Sequence, residues 1–280
     1  MTEKIAYQGE PGANSHIACV ERFPALAPLP CTTFDDAFAA VREGEARYAM
    51  IPIENSLAGR VADVHHLLPE ANLYIAGEHF MAIRFHLMSL KGAPLSGVTR
   101  VRSHIQALGQ CRASLRALGV KTLTTVDTAG AAREIKDLGD PSEAALAPAL
   151  AAELYGLDIL KRDMADSADN TTRFIILSAT PEDAAPEEGP CITTLVFRSR
   201  SVPASLYKCL GGFATTGVNI TKLEGYVQSG FSMAQFYLDL EGHPDQAAVK
   251  LALGELQFFS TELKILGVYP SASFRKGHRI

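Results

Sequence analysis

The stretch Asp169-Asn170-Thr171-Thr172-Arg173-Phe174-Ile175-Ile176-Leu177 places a hydroxyl and a guanidinium between a helical segment and a short apolar run. A run of that length and composition, Phe174 to Leu177, is predicted to be a buried strand. Polar groups massed at a strand end mark the place where an α/β protein keeps its chemistry. Working outward, short apolar runs at Tyr48 to Ile53, Val98 to Val101 and Lys121 to Val126 alternate with helix-like stretches at Ala39 to Arg42, His104 to Leu118 and Thr128 to Leu138. That alternation predicts an α/β domain with a largely parallel sheet. The run from Leu73 to Leu90 has no helical pattern and suits a strand crossing between two lobes. The expected architecture is two-lobed, with a cleft between the lobes.

One segment, 179–190, carries Pro, Gly and acid without apolar periodicity, as a solvated linker does. It separates a two-lobed domain, 1–178, from a smaller domain, 191–270, with a basic, mobile tail expected over 271–280. The smaller domain is predicted in the order strand Ile192 to Phe197, helix Pro203 to Thr216, strand Asn219 to Tyr226, strand Phe231 to Leu240, helix Pro244 to Leu256, strand Glu262 to Tyr269. Pro203 suits a first helical turn and Gly217 a helix end. The product is βαββαβ, the ferredoxin-like arrangement.

Composition excludes several classes. The net charge of −5 comes with scattered lysines and arginines, so no basic stripe for nucleic acid is built. The start has no signal-peptide pattern, and the longest apolar run, Ala144 to Leu157, is broken by Pro148 and Glu153. A cytoplasmic protein without a membrane partner is expected. Five cysteines with no Cys-x-x-Cys spacing read as small apolar residues, arguing against disulfides and zinc. His16, His104 and His65-His66 match no metal or triad motif and are expected at the surface or in local packing.

Three further stretches are each expected to follow a strand and open a helix: Tyr7 to His16, Pro52 to Gly59 and Ser103 to Cys111. Helix N-termini at strand ends favour anions. In the third, Ser103 is expected to cap the helix, with Gln106 and Gln110 on its polar stripe and Ile105, Leu108, Leu115 and Leu118 on an apolar one. That pattern fits either a ligand-facing stripe or a capped, solvated helix. Asn55 and Ser56 serve equally as ligand donors or as caps of a helix from Arg60 to Leu68. The Gly9-x-x-Gly12 turn matches neither a dinucleotide fingerprint nor a P-loop.

In this order, the Thr-Arg-Phe segment, the Ser103 to Cys111 segment, Pro52-Ile53-Glu54-Asn55 and a βαββαβ domain resemble prephenate dehydratase of the monofunctional bacterial type, over nearly the whole chain. The resemblance implies a periplasmic-binding-protein-like catalytic domain followed by an ACT regulatory domain. It implies loss of carbon dioxide and the ring hydroxyl from prephenate to give phenylpyruvate in phenylalanine biosynthesis, with no cofactor and no metal. Thr172, Ser103, Gln110 and Asn55 then take catalytic positions. Arg173, Ser56, Asn14, Ser15, Gln106 and Thr171 take substrate-binding ones. On a regular strand Arg173 points away from Thr172, so Arg173 is structural or the backbone there is irregular.

The ACT resemblance implies L-phenylalanine as effector between subunits of a homodimer or homotetramer, at Ala204, Ser205, Leu206, Asn219 and Glu224. Many relatives read Gly-Ala-Leu and Glu-Ser-Arg-Pro where this chain has Ala204-Ser205-Leu206 and Glu224-Gly225-Tyr226-Val227. Two alternatives stand beside this reading: arogenate dehydratase, the same elimination on the amino analogue, and a non-catalytic two-lobed amino-acid sensor.

Overall fold

The computed structural model describes residues 2–227 and 234–277. By internal packing the chain divides into two units, Met1–Val64 with His79–Phe174, and His65–Glu78 with Ile175–Ile280.

The chain opens with β1 (Lys4–Gln8), α1 (Asn14–Arg22), β2 (Ala27–Cys31), α2 (Phe34–Arg42), β3 (Tyr48–Asn55), β4 (Gly59–Arg60) and α3 (Ala62–Leu67). Then come β5 (Tyr74–Ala82), β6 (His86–Ser89), β7 (Arg100–His104), α4 (Ile105–Gln110), α5 (Arg112–Leu118), β8 (Lys121–Thr125) and α6 (Thr128–Leu138). The alternating part ends with β9 (Glu143–Ala147), α7 (Ala149–Tyr155), β10 (Asp158–Lys161) and β11 (Thr171–Ser178).

One sheet has the order β2-β1-β3-β11-β5, with β4 paired to β3. A second has the order β10-β6-β9-β7-β8. The chain crosses from the first to the second between β5 and β6 and returns between β10 and β11, which is the expected two-lobed plan; the run from Leu73 to Leu90 is two strands and not one. Strand β1 runs parallel to β2 and β3, and β7 parallel to β8 and β9. Around the crossing the pairing reverses, β6 lying antiparallel to β9 and β10, so the second sheet is mixed.

Local chemistry explains the elements. Helix α2 starts in a capping box, Thr33 and Asp36 each accepting the other's backbone N–H. Helix α6 matches its expected bounds because Asp127 caps its start and Gly139, at φ 64°, ends it. Its alanines pack on β9, every residue of which is buried. Glu143 is buried there as a charge, and Arg100 and Arg102 pair with it.

The second unit contains β12 (Cys191–Ser199), α8 (Ser205–Thr216), β13 (Ile220–Val227), β14 (Ala234–Glu241), α9 (Ala247–Phe259), β15 (Ser260–Pro270) and α10 (Ser273–Lys276). Its antiparallel sheet, β13-β14-β12-β15, is the ferredoxin-like order. Both helices cover one face through Leu195, Phe197, Cys209, Phe213, Leu238, Leu240 and Leu256. Residues 231–233 of the expected strand from Phe231, and the last three tail residues, lie outside the described residues.

Several expectations are corrected. The helix expected from Arg60 starts at Ala62, because Gly59 and Arg60 fold back on β3. The helix expected to run to Leu118 breaks at Cys111, and Ile105, placed on its apolar stripe, is 60% exposed. Pro203 precedes α8 instead of opening it, and α9 starts three residues after Pro244. Segment 179–190 is not solvated throughout: Ala184 is buried, and its N–H donates to Val268 O while Val268 N–H donates to Asp183. The tail is pinned, Arg275 donating twice to Glu78 at 2.7 and 2.8 Å. His65 is 2% exposed, hydrogen-bonded to the Tyr226 hydroxyl and in T-shaped contact with the Tyr237 ring. No helix among the described residues is long and apolar enough to cross a membrane.

Candidate active site

Asn55 ends β3, Thr171 and Thr172 open β11, and Gln110 closes α4. The Asn55 carboxamide sets the polarity of the group. Its Oδ1 accepts the backbone N–H of Leu57 at 3.0 Å and of Ala58 at 2.8 Å. A carboxamide has one accepting and one donating end, so those two bonds aim Nδ2 inward. Nδ2 donates to Asn170 Oδ1 at 2.7 Å, Thr172 Oγ1 at 2.9 Å and the Thr171 carbonyl at 3.2 Å. Two hydrogens thus serve three acceptors, one of them in a shared bond. Asn170, 1% exposed, donates in turn from Nδ2 to Gln110 Oε1 at 2.7 Å.

This leaves two donors. The Thr172 oxygen is occupied as an acceptor, and among the described residues nothing accepts its hydrogen. Gln110 has its oxygen engaged, and among the described residues nothing accepts from its Nε2. A hydroxyl and an amide held this way can meet developing negative charge with no proton carrier of their own.

The remaining expected residues are distributed differently. Ser56 staples the backbone: its Oγ donates to Asp169 O at 2.6 Å and accepts from Thr171 N at 2.9 Å, and its N–H donates to Thr171 O at 2.8 Å. Asn55 and Ser56 therefore hold a β3 to β4 turn and cap no helix. Ser103 lies within β7, fully buried, its hydroxyl donating to Leu146 O at 2.6 Å. It does not cap α4; His104 does, accepting from Gln106 N at 3.4 Å. Nor does Ser103 hydrogen-bond to Asn55, Gln110 or Thr172 among the described residues. Gln106 is exposed, without a bond to the cluster. Asn14 and Ser15 form the first turn of α1, whose start carries no side-chain cap.

Arg173 takes the opposite face of β11, as strand alternation requires. It is 2% exposed, donating to Glu54 Oε1 at 3.0 Å, with its guanidinium 5.9 Å from the Phe80 ring centre. Glu54 and Asn55 alternate on β3 just as Arg173 and Thr172 do on β11.

Three neighbours of these residues escape a reading of types and spacing. Asn170 is the hub of the amide chain. Glu54 is the partner of Arg173. Asp166 donates its N–H to Gln110 O at 2.8 Å and takes the N–H groups of Ala113 and Ser114 at 2.7 and 3.0 Å. Burial raises the Asp166 pKa, and the N–H groups of Ala113 and Ser114 together with the Ser114 side chain outweigh it, leaving the carboxyl below its ordinary value. Signals for the first two were present in Asp-Asn-Thr-Thr and Pro-Ile-Glu-Asn. Cys111, beside Gln110, is pushed up to about 12 by burial first and then by Asp166, so its thiol stays protonated. Gly12 N–H donates to His16 Nδ1 at 3.0 Å, and burial lowers that imidazole's pKa. His16 is a packing residue, stacked 5.3 Å from Tyr7.

In the second unit, Ala204 sits in the left-handed region at φ 58° ahead of α8, Ser205 Oγ donates to Ser199 Oγ at 3.3 Å, and Leu206 packs on the core. Asn219 Nδ2 donates to Glu241 at 3.3 Å, and Glu224 accepts from Lys222 at 3.2 Å.

The model of the family described as prephenate dehydratase matches residues 5–182, across every residue of the amide chain. The chain belongs to the prephenate dehydratase family. A bifunctional N-acyl-homoserine lactone acylase/prephenate dehydratase of Komagataeibacter europaeus is 48% identical over 97% of both chains. Arogenate dehydratase 2 of Petunia hybrida is 37% identical over 96% of this chain and 72% of its own. Among solved structures, prephenate dehydratase from Arthrobacter aurescens in complex with L-Phe superposes with a TM-score of 0.87 at 31% identity, covering 96% of this chain and 90% of that one. The likeness to these family members extends through the βαββαβ domain.

Proposed function

We propose that the protein catalyses the decarboxylating dehydration of prephenate to phenylpyruvate, and that Thr172 assists departure of the ring hydroxyl. The C–CO2 bond breaks, its electron pair aromatises the ring, and the C–O pair leaves with the hydroxyl, which becomes water on gaining a proton. A threonine hydroxyl is a weak acid, so its part is hydrogen bonding to the departing oxygen, with Gln110 Nε2 as a second donor. Neutral donors suit this step, because a fixed cation beside the ring carboxylate would stabilise the ground state from which carbon dioxide must leave. The observation that carries the reading is the Thr172 hydroxyl, held through its oxygen by Asn55 and, among the described residues, without an acceptor for its hydrogen.

Asn55 orients, Thr171 and Ser56 fix the turn, and Asn14, Ser15 and Gln106 are proposed as outer substrate contacts. Ser103 acts from within β7 by holding β9. We give Arg173 the structural branch of its two readings. Catalysis is assigned to 1–178, with 179–190 as linker. L-phenylalanine is the proposed feedback effector of the ACT domain, 191–270, at Ala204, Ser205, Leu206, Asn219 and Glu224, in a cytoplasmic homodimer or homotetramer. The effector acts by binding one conformational state more tightly than another.

Purified protein given prephenate at neutral pH tests the reading by the appearance of phenylpyruvate, with and without L-phenylalanine. Turnover of arogenate in place of prephenate would move the substrate to the amino analogue, and turnover of neither would overturn the assignment. One finding favours a second activity: the identity to the Komagataeibacter protein spans 97% of each chain, and that protein's name includes an acylase. Release of homoserine lactone from an N-acyl derivative tests it, and its absence at enzyme concentrations that turn over prephenate would remove it.

A further inference from the structure

We infer that Asn170 is a positioning residue for the dehydration, one that fixes which end of the Gln110 carboxamide meets the substrate; the inference rests on the prephenate dehydratase reading and deepens it. The argument is one of polarity passed along three amides. The N–H groups of Leu57 and Ala58 hold Asn55 Oδ1, which turns Asn55 Nδ2 inward. Asn55 Nδ2 requires an acceptor, so the Asn170 amide presents Oδ1 to it at 2.7 Å. Asn170 therefore offers Nδ2 on its other side, and Gln110 must answer with Oε1, again at 2.7 Å. The last group in the chain is Gln110 Nε2, a donor.

A carboxamide rotated by half a turn exchanges its donor for an acceptor with little change of shape. Left to itself, Gln110 has no reason to prefer the orientation that helps an oxygen to leave with negative charge. Burial makes the choice binding: Asn170 is 1% exposed, and a mismatched amide there would leave a polar group unsatisfied away from water. The same Asn55 Nδ2 engages Thr172 Oγ1 at 2.9 Å, which directs the hydroxyl hydrogen elsewhere. One backbone turn at 57–58 thereby fixes both donors. Asp166 holds the main chain at the same point, its N–H donating to Gln110 O.

The test is Asn170→Asp, which keeps the size and the acceptor facing Asn55 but presents a second acceptor to Gln110. Gln110 then turns its Nε2 to the carboxylate and its oxygen to the substrate. With prephenate, kcat is expected to fall about a hundredfold, the scale of losing one preorganised donor, while KM changes less than about threefold. Adding Gln110→Ala to Asn170→Asp should cost little more, although Gln110→Ala alone costs about as much, the non-additivity of groups acting as a unit. A kcat within about twofold of wild type in Asn170→Asp, or full multiplication of the two losses, overturns the inference.

Side-chain amide NMR supplies a readout independent of turnover. In the wild type the Asn55 and Asn170 NH2 groups should be slow to exchange with solvent and that of Gln110 fast; in Asn170→Asp the Gln110 NH2 becomes slow. A slow Gln110 NH2 in the wild type overturns the inference. Should Asn170→Asp fail to fold, Asn170→Ala takes its place: kcat is expected to fall at least tenfold, with the loss again not multiplying that of Gln110→Ala, and a smaller or multiplying loss counts against the relay. Wild-type protein inert toward prephenate and arogenate would sink the underlying assignment, and the exchange pattern would still decide the relay.

Discussion

Thr172 and Arg173 are consecutive on β11, yet the two faces they occupy are built from different chemistry. On one face Asn55, Asn170, Thr172 and Gln110 form a neutral chain of amides and a hydroxyl, ending in donors with no acceptor among the described residues. On the other, Arg173 and Glu54 form an ion pair, the guanidinium 2% exposed and beside Phe80. A buried charge demands its partner at all times, so the ion pair is a fastening between β3 and β11. A neutral amide can leave one end open at modest cost, so the chain can wait for a ligand. The open donors and the fastening are separated by a single peptide unit.

Substitutions on the two faces should therefore fail in different currencies. The largest expected effect is on stability: Arg173→Met removes the buried guanidinium that donates to Glu54 and should cost about 3 kcal/mol, the low end for breaking a buried pair because Glu54 is partly exposed. Urea unfolding measures it, and KM for prephenate should stay near the wild-type value in the folded variant. A large rise in KM with little loss of stability would put Arg173 on the substrate. Thr172→Ala should do the reverse, lowering kcat about a hundredfold or more while removing about 1 kcal/mol or less of stability. Near-native turnover in that variant would end the assignment.

A smaller effect is expected far from this pair. Ala204 holds φ 58° with a side chain that disfavours it, so Ala204→Gly should stabilise the protein by about 1 kcal/mol. Differential scanning calorimetry checks the sign, which no contact in the folded state alone would supply. The smallest effect is a pH dependence at His16. Its folded pKa lies below the ordinary imidazole value, so its contribution to stability is complete above that value and is lost as pH falls through the folded one. Melting curves from neutral to mildly acid pH should fall less steeply for His16→Gln than for the wild type.

Much of this was legible in the sequence, for reasons that also explain what was not. Strands β3, β8 and β11, helix α6 and the glycine end of α8 follow from local periodicity and capping. The opposition of Thr172 and Arg173 follows from strand alternation. What failed depended on partners remote in sequence. Ser103 looks like a helix cap until its hydroxyl finds Leu146, and the helix after it looks continuous until the Asp166 carboxylate supplies a second start at Ala113 and Ser114. Asn55 looks like a cap for a helix because nothing local announces that Gly59 and Arg60 turn back on β3. Asn170 stood in the most distinctive stretch of the chain, but its importance lies in joining Asn55 to Gln110, which only the fold places beside it.

The segment His65–Glu78 has a consequence for how the protein can be taken apart. Its partners are in the C-terminal third: Tyr226 for His65, Lys264 for the Pro69 carbonyl, Arg275 for Glu78, and Gly267, where any side chain would overlap the carbonyl oxygen of Ile75. A cut through 179–190 would thus be clean on paper only. The N-terminal piece would keep fourteen residues shaped to fit what had been removed, with Glu78 charged and deprived of its arginine. The gene reads as two modules in tandem, but as a material the protein is interlocked, and recombination that swaps the C-terminal domain must exchange 65–78 with it.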